Sequence, residues 1–378
     1  MKPAIVVVAY NRPEALRRLL ASLAALQGAV DVPLVISLDA GGDQFARVLA
    51  VAERFEWLLG EKRVVVRERP YGLINHVFAC GDLVDEFGAI ILLEDDLVVS
   101  PMAYRYAADA LDFYADDPQI AGISLNALWF QGITHEPFTP YLDDGDTFFM
   151  QIAWFQGQAY TQKQWSAFRA WRETAVSQIL PKDNMHELFH TFPTTDWFPL
   201  KTKYLVQTDR FYVFPRESLS TNFGDSGMHV RGTSFFQVPL QTRRSSFRFQ
   251  PLAEAVAVYD SFQEMLPERV NRLTDRFAAY DFTVDLHGTR SLANIPTKFV
   301  LTTQEVRQPL ATFGLEMRPF LANVIHNQPG TGISFGRTAD LDQSWQARLR
   351  AQSRRHAYFS RRHVGLRQRL KWWLGNWL

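Results

Sequence analysis

Glu94-Asp95-Asp96 sets three carboxylates side by side between two apolar runs, residues 89–93 and Leu97–Val99. Three like charges in that setting repel one another and resist burial unless a cation joins them. Hard divalent ions such as Mg2+ or Mn2+ use a few carboxylates and complete their shell with the phosphates of a substrate. At this acidic content roughly 0.4 such triplets would arise by chance in a chain this long, so position must do the sorting. This triplet stands at the end of a run apolar enough to be a central buried strand. A metal and diphosphate site is the functional reading, and a solvated turn at a strand end is the plain one.

The elements that would position it follow from the pattern of the first 125 residues. Short β-branched runs (Ala4–Ala9, Leu34–Leu38, 63–66, 89–93, Ile120–Ser124) alternate with helical patterns after Pro13, near 44–59, near 73–87 and after Pro101. That alternation predicts an α/β fold with a mostly parallel sheet and crossover helices. Ligands of such sheets bind beyond the carboxyl ends of the strands. Tyr10-Asn11-Arg12, the stretch Asp39-Ala40-Gly41-Gly42-Asp43 and the carboxylate triplet should therefore converge. No Gly-x-Gly-x-x-Gly follows the first strand and no P-loop is present, which disfavours a dinucleotide fold or a P-loop enzyme.

Residues 126–245 are rich in aromatics and turn formers, as expected of a ligand or acceptor wall. Order should return over 250–342, with an acidic helical stretch and a β-patterned segment at 281–288 and 298–303. These shifts divide the chain into 1–245, a smaller C-terminal α+β segment at 246–342, and a basic tail at 343–378.

Composition sets the outer bounds. The chain has 378 residues, 47% apolar and 21% charged, which argues against a disordered, collagen-like or coiled-coil chain. Its one cysteine, Cys80, cannot form an internal disulfide, favouring the cytoplasm. The N-terminal apolar run reads as a buried strand rather than a signal peptide, and no stretch approaches the ~20 apolar residues of a membrane span. The formal net charge of zero hides an asymmetry: residues 343–378 carry nine basic residues and no acidic one, leaving 31 basic against 40 acidic in the body. In the tail, positions 366, 370, 373, 374 and 377 share a helical face beside Arg367, Arg369 and Lys371. That suits the surface of an anionic membrane, such as the inner face of the bacterial membrane; a helix docked on the body or on a partner subunit is the alternative. No nucleic-acid motif accompanies the charge, and no nucleic-acid partner is expected.

The layout of residues 7–12 (Val-Val-Ala-Tyr-Asn-Arg), 36–39 (Ile-Ser-Leu-Asp) and 93–101, centred on Glu94-Asp95-Asp96-Leu97, resembles the GT-A (Rossmann-like) nucleotide-sugar glycosyltransferases. Within them it is most similar to N-acetylglucosaminyltransferase I and to bacterial family 2-like enzymes. The resemblance covers roughly residues 3–240. It implies that Asp96 coordinates a divalent metal, Mn2+ or Mg2+, that Glu94 acts on the metal through water, and that Asp95 bonds sugar or ribose hydroxyls. Arg12 would lie on the diphosphate, where its planar fork suits phosphate oxygens. Asp39 would accept from the ring N–H of a uracil-type base, with His76 helping to hold it.

The acceptor side offers further matches. Thr195-Asp196-Trp197 resembles the family's Asp-Asp-Trp, implying Asp196 as catalytic base; Asp is also a favoured helix N-cap, and both roles can hold at once. Residues 217–229 resemble a loop that closes over the donor, with Ser226 on the nucleotide sugar and His229 as a metal ligand. Trp154, Phe155, Gly157 and Trp197 fit an acceptor-side wall, with ordinary core packing as the alternative.

The reading is a cytoplasmic, membrane-peripheral, inverting, metal-dependent glycosyltransferase of hexosyltransferase type. Its donor would be a nucleotide diphosphate sugar, UDP-linked first of all, and its acceptor a glycan or lipid-linked glycan in bacterial cell-surface polysaccharide synthesis. A non-catalytic nucleotide-sugar or glycan-binding module on the same fold is the alternative. A sugar-1-phosphate nucleotidylyltransferase stands behind that, lacking the Gly-rich basic loop it needs after the first strand.

Overall fold

Every residue of Ala4–Ala9 and of Leu34–Leu38 is buried, as strands inside a parallel sheet require. In the computed structural model, which describes residues 1–225 and 236–360, these runs are β1 and β2. Helix α1 (Pro13–Ala24) joins them. Pro13 opens it without the loss of a helical hydrogen bond, and Leu16, Leu19, Leu20 and Leu23 turn inward. The alternation continues through α2 (Phe45–Arg54), β3 (Lys62–Val66), α3 (Leu73–Gly81), the short α4 (Val84–Phe87) and β4 (Ala89–Glu94).

Two helices are shorter than their patterns predict. The second ends at Arg54 because the chain turns back, burying Trp57 with its indole N–H on the Val32 carbonyl at 2.7 Å. The helical pattern over 73–87 divides after Gly81, where the Trp165 ring occupies the space a Cβ would need.

Next come β5 (Leu97–Val99), α5 (Ala103–Phe113), β6 (Ile120–Ser124), β7 (Thr147–Met150), β8 (Gln158–Thr161), α6 (Gln162–Thr174), α7 (Trp197–Gln207), β9 (Phe211–Pro215), β10 (Ser220–Asn222) and β11 (Val258–Tyr259). A nine-stranded sheet runs in the order β11-β7-β9-β6-β8-β4-β1-β2-β3. Strands β4, β1, β2 and β3 are mutually parallel, while β8 lies antiparallel between β4 and β6. The fold class is α/β, with a mostly parallel central sheet and flanking helices. The chain builds outward from β1 to β2 and β3, then returns to β1's other side with β4. The β1/β4 boundary is thus a topological switch point, where such sheets take ligands.

The chain forms two compact units, residues 1–129 with 140–265, and residues 130–139 with 266–378. The first holds the large sheet. The acidic helical stretch expected after 250 is mostly irregular there and just beyond, reduced to the four-residue α8 (Pro267–Val270). The Asp260 carboxylate accepts from the N–H groups of Phe262 and Glu264, a local turn that competes with helix.

In the second unit, β12 (Phe282–Asp285), β13 (Phe299–Thr302), β15 (Pro309–Phe313) and β16 (Ile333–Arg337) form a sheet in the order β12-β13-β16-β15. A small ribbon pairs β14 (Glu305–Val306) with β17 (Leu341–Asp342), and α9 (Phe320–Ile325) precedes β16. The final helix, α10 (Trp345–Ser360), covers the first part of the basic tail. It packs on its own unit through buried Ala347, Ala351, Arg355 and Tyr358. Arg350 and Arg354 both donate to Glu305, and Arg355 pairs with Glu136 at 3.6 Å. The amphipathic segment predicted at 366–377 lies outside the described residues. No described helix is long and apolar enough to cross a membrane.

Candidate functional site

Strands β1 and β4 pair with Val8 opposite Glu94, so the residues that follow each strand emerge side by side. The Tyr10 N–H donates to Asp95 Oδ2 at 3.3 Å. Arg12 closes its fork on the triplet: Nη1 donates to Asp96 Oδ2 at 2.9 Å, and Nη2 donates to Asp95 Oδ1. Asn11 ties in the third loop, its Nδ2 donating to Asp43 at 2.7 Å and its Oδ1 accepting from the Gln44 N–H at 2.7 Å. The three sequence clusters do converge.

Their electrostatics follow from crowding. Burial, then Asp96, Asp95 and Asp196, push the Glu94 carboxyl up to about 8 against the opposing pull of Arg12. Burial pushes Asp95 up to about 6, again opposed by Arg12. Burial disfavours the charged form of Arg12, but Asp95, Asp96 and Glu94 outweigh it and raise its pKa further. The field of Asp196 at Glu94 brings α7's first turn into the same electrostatic neighbourhood, although 102 positions separate the two residues.

The donor set suits a hard cation. Among the described residues no three His, Cys, Asp or Glu side chains form a ready cage, so an ion here would draw on one or two carboxylates and on its substrate, as Mg2+ commonly does. Asn222, opposite Leu97 in the β10/β5 pair, has a buried Oδ1 with no hydrogen-bond partner among the described residues. It is a further hard oxygen close in register to Asp96.

Asp39, after β2, is buried. Its Oδ1 accepts from the N–H groups of Ala40 at 3.0 Å and Tyr71 at 2.8 Å, and its Oδ2 accepts from Gly72 at 2.9 Å. A carboxylate has about four lone-pair directions, so one remains for a ligand. His76 lies buried in α3, its Nε2 2.8 Å from Ser37 Oγ. Burial lowers its pKa to about 4, partly offset by Asp39, so the ring is neutral at physiological pH.

Asp196 caps α7, its Oδ1 accepting from the Phe198 N–H at 2.9 Å. Trp197 and Trp154 are buried and Phe155 is half-buried. Trp154 and Phe155 lie with ring centroids 4.3 Å apart, and both pack on Phe198 and Phe236. Gly157 has φ +88°, and a Cβ there would press on Leu93 and Leu125 at 3.2 Å, so it belongs to the packing beneath β4's end. Ser226 and His229 lie outside the described residues.

Two features were invisible in the sequence. Arg18 of α1 pairs with Asp225 and covers the Phe223 ring at 4.4 Å, anchoring the chain that leads to residue 226. Lys201 of α7 is fully buried, with Nζ 3.7 Å from the Tyr160 ring centroid and 4.4 Å from that of Trp165. It has no hydrogen-bond partner among the described residues, and burial drives its pKa well below the usual lysine range. Nothing in the helical pattern of 197–207 distinguishes Lys201 from a surface lysine.

No protein-family model and no curated protein matches the chain. Among solved structures it is similar to residues 1–349 of S. aureus TarS, at 13% identity over 58% of this chain and 60% of that one, with a TM-score of 0.37. The same protein in complex with UDP gives 14% identity over 58% and 60%, with a TM-score of 0.38. The mannosyltransferase PcManGT from Pyrobaculum calidifontis, in complex with GDP-Man and Mn2+, gives 12% over 57% and 55%, with a TM-score of 0.36. Each match spans less than two thirds of the solved chain, and likenesses at these TM-scores carry no argument about activity.

Proposed function

We propose that this chain is an inverting, metal-dependent glycosyltransferase of hexosyltransferase type. Its donor is a nucleotide diphosphate sugar, UDP-linked, and its acceptor a hydroxyl of a glycan or lipid-linked glycan in bacterial cell-surface polysaccharide synthesis. One observation carries the reading: of the three carboxylates at the switch point, Asp95 and Asp96 are held by an arginine from the loop after the neighbouring strand, with the field of Asp196 reaching Glu94. Such a site offers negative charge to a cation, a fork to a phosphate and a separate carboxylate to an acceptor.

In this reading Asp96, with Glu94 through water, would hold a divalent ion, which would supply Lewis-acid stabilisation to the departing diphosphate. Asp95 accepts from sugar or ribose hydroxyls. Arg12 spreads two N–H donors over diphosphate oxygens, and the free lone pair of Asp39 takes the base N–H, backed by His76. Asp196 removes the acceptor hydroxyl proton as that oxygen attacks the anomeric carbon; the bond to the diphosphate oxygen breaks, and the nucleoside diphosphate leaves. Phe155 lines the acceptor side, backed by the buried Trp154, Gly157 and Trp197. The roles that the resemblance implies for Ser226 on the nucleotide sugar and His229 on the metal fall outside the described residues. Residues 361–378, with five of the tail's nine basic residues, hold the protein against an anionic membrane face.

The test is a thermal-shift screen of nucleotide sugars with and without Mn2+, since a ligand that binds only the folded state raises stability with its affinity. A UDP-sugar with Mn2+ should raise the melting temperature, and Asp96→Ala should lose the metal-dependent part. If no nucleotide sugar shifts the wild type, or Asp96→Ala responds like it, the proposal fails.

A further inference from the structure

The Arg12 guanidinium is committed to the same carboxylates that the proposed reaction needs. Its two terminal nitrogens hold Asp95 and Asp96, the groups assigned to donor hydroxyls and to the metal. A guanidinium is a permanent cation with a rigid planar fork. While it holds Asp96 Oδ2 at 2.9 Å it competes with a divalent ion for that carboxylate, by charge and by space. The same two nitrogens cannot also grip a diphosphate. One fork therefore has two possible clients, and its choice decides whether the carboxylates are available.

The surroundings favour exchange. Arg12 is the N-cap residue of α1, outside the helix proper, and its side chain retains 28% exposure, so the fork can swing without breaking a helical turn. Asp95 keeps the Tyr10 N–H when Arg12 leaves. Without nucleotide, a metal would find no preformed cage among the described residues. A diphosphate would bring both a rival anion for Arg12 and oxygens for the ion.

We propose that Arg12 is an internal counter-ion that shuts the ligand-free site to divalent metal. A nucleoside diphosphate opens the site by taking the arginine fork, so that metal and nucleotide bind as a coupled pair. This rests on the nucleotide-sugar reading and adds its regulation. Coupling is reciprocal: whatever factor UDP adds to metal affinity, metal adds to UDP affinity.

The experiment titrates MnCl2 into wild type, Arg12→Gln and Arg12→Lys without nucleotide, following free Mn2+ by its EPR signal, and repeats the titration with UDP. Arg12→Gln should bind Mn2+ alone about tenfold or more tightly than wild type. Arg12→Lys, charged but unforked, should fall between them. UDP should tighten Mn2+ in wild type by a larger factor than in Arg12→Gln. If Arg12→Gln melts early in EDTA, Mn2+ alone should restore it, because the ion replaces the lost positive charge. Equal Mn2+ affinities for wild type and Arg12→Gln without nucleotide would overturn the proposal, as would an Arg12→Gln protein that Mn2+ fails to restore. Failure of both UDP and GDP to bind any of the three proteins would sink the donor assignment instead. The nucleotide-free titration would still decide whether Arg12 is the counter-ion.

Discussion

Asp196 holds two jobs that one pair of substitutions can separate. As N-cap of α7 it satisfies the Phe198 N–H at 2.9 Å; as proposed base it needs its negative charge. Asn caps a helix about as well as Asp, so Asp196→Asn keeps the hydrogen bond and loses the charge, whose interaction with the helix dipole is about 0.3–1 kcal/mol. Asp196→Ala also loses the cap, about 1 kcal/mol more, which in a unit of this size lowers the melting temperature by a further ~2–4 °C. Transfer should respond differently. Both variants remove the base, which contributes ~10²–10⁴ in rate, or about 3–5 kcal/mol of barrier, while donor binding stays intact. The assay is single-turnover release of UDP from a UDP-sugar with acceptor present, paired with thermal melts. A second signature comes from Glu94: Asp196 helps raise its pKa, so either variant should ease its ionisation. An Asp196→Asn protein that keeps transfer within about threefold of wild type would refute the base, whatever the melts show.

Other expectations follow from buried charge. Glu94 is raised by folding to about 8, so the folded chain binds that proton more tightly than the unfolded chain. The resulting stabilisation is full below about pH 4.3 and is lost as pH climbs through about 8. The stability of wild type relative to Glu94→Gln should therefore fall over that window in urea titrations, and a flat or rising difference would contradict the burial of this group. Among the described residues Lys201 loses hydration without gaining an acceptor, and aromatic faces at 3.7–4.4 Å return only about 2 kcal/mol. Lys201→Met should thus be neutral or stabilising by about 1–2 kcal/mol near neutral pH; a loss above about 1 kcal/mol in urea unfolding would show that the ammonium is needed. Truncation after Ser360 should leave the melting profile unchanged and move the protein from vesicle-bound to free in sedimentation with anionic liposomes. Truncation before Gln343 removes α10 with its ion pairs to Glu305 and Glu136, and should destabilise the second unit.

The first half of the large sheet was legible because its signals are local. Ala4–Ala9 and Leu34–Leu38 are apolar at nearly every position, and only a strand covered on both faces buries such runs. Strand β8, which slips antiparallel between β4 and β6, carried no such mark: Gln158-Ala159-Tyr160-Thr161 is half polar, and its burial depends on a distant partner, the Tyr212 hydroxyl that donates to Gln158 Oε1 at 3.0 Å. Beyond 250 the composition suggested helix, but the Asp260 turn overrides composition by satisfying backbone donors locally. The basic tail shows the same limit. Its charge count was plain, yet Arg350, Arg354 and Arg355 find Glu305 and Glu136 only after the second unit folds.

At the site, the sequence exposed the requirement and concealed how it is met. Three carboxylates after a buried strand demand positive charge, and that demand is local, readable from residues 89–99 alone. Arg12 lies more than eighty positions upstream, and its own context of Tyr-Asn-Arg-Pro at a helix start equally suits a phosphate contact. What brings the two together is β1 and β4 lying side by side in parallel register, with Val8 opposite Glu94. With the cluster desolvated and no ligand present, the nearest mobile cation is that guanidinium, so electrostatics assigns it to Asp95 and Asp96 before any diphosphate arrives. A carboxylate triplet at a switch point is therefore sound grounds for expecting a cation, and the loop after the neighbouring strand determines which cation arrives first.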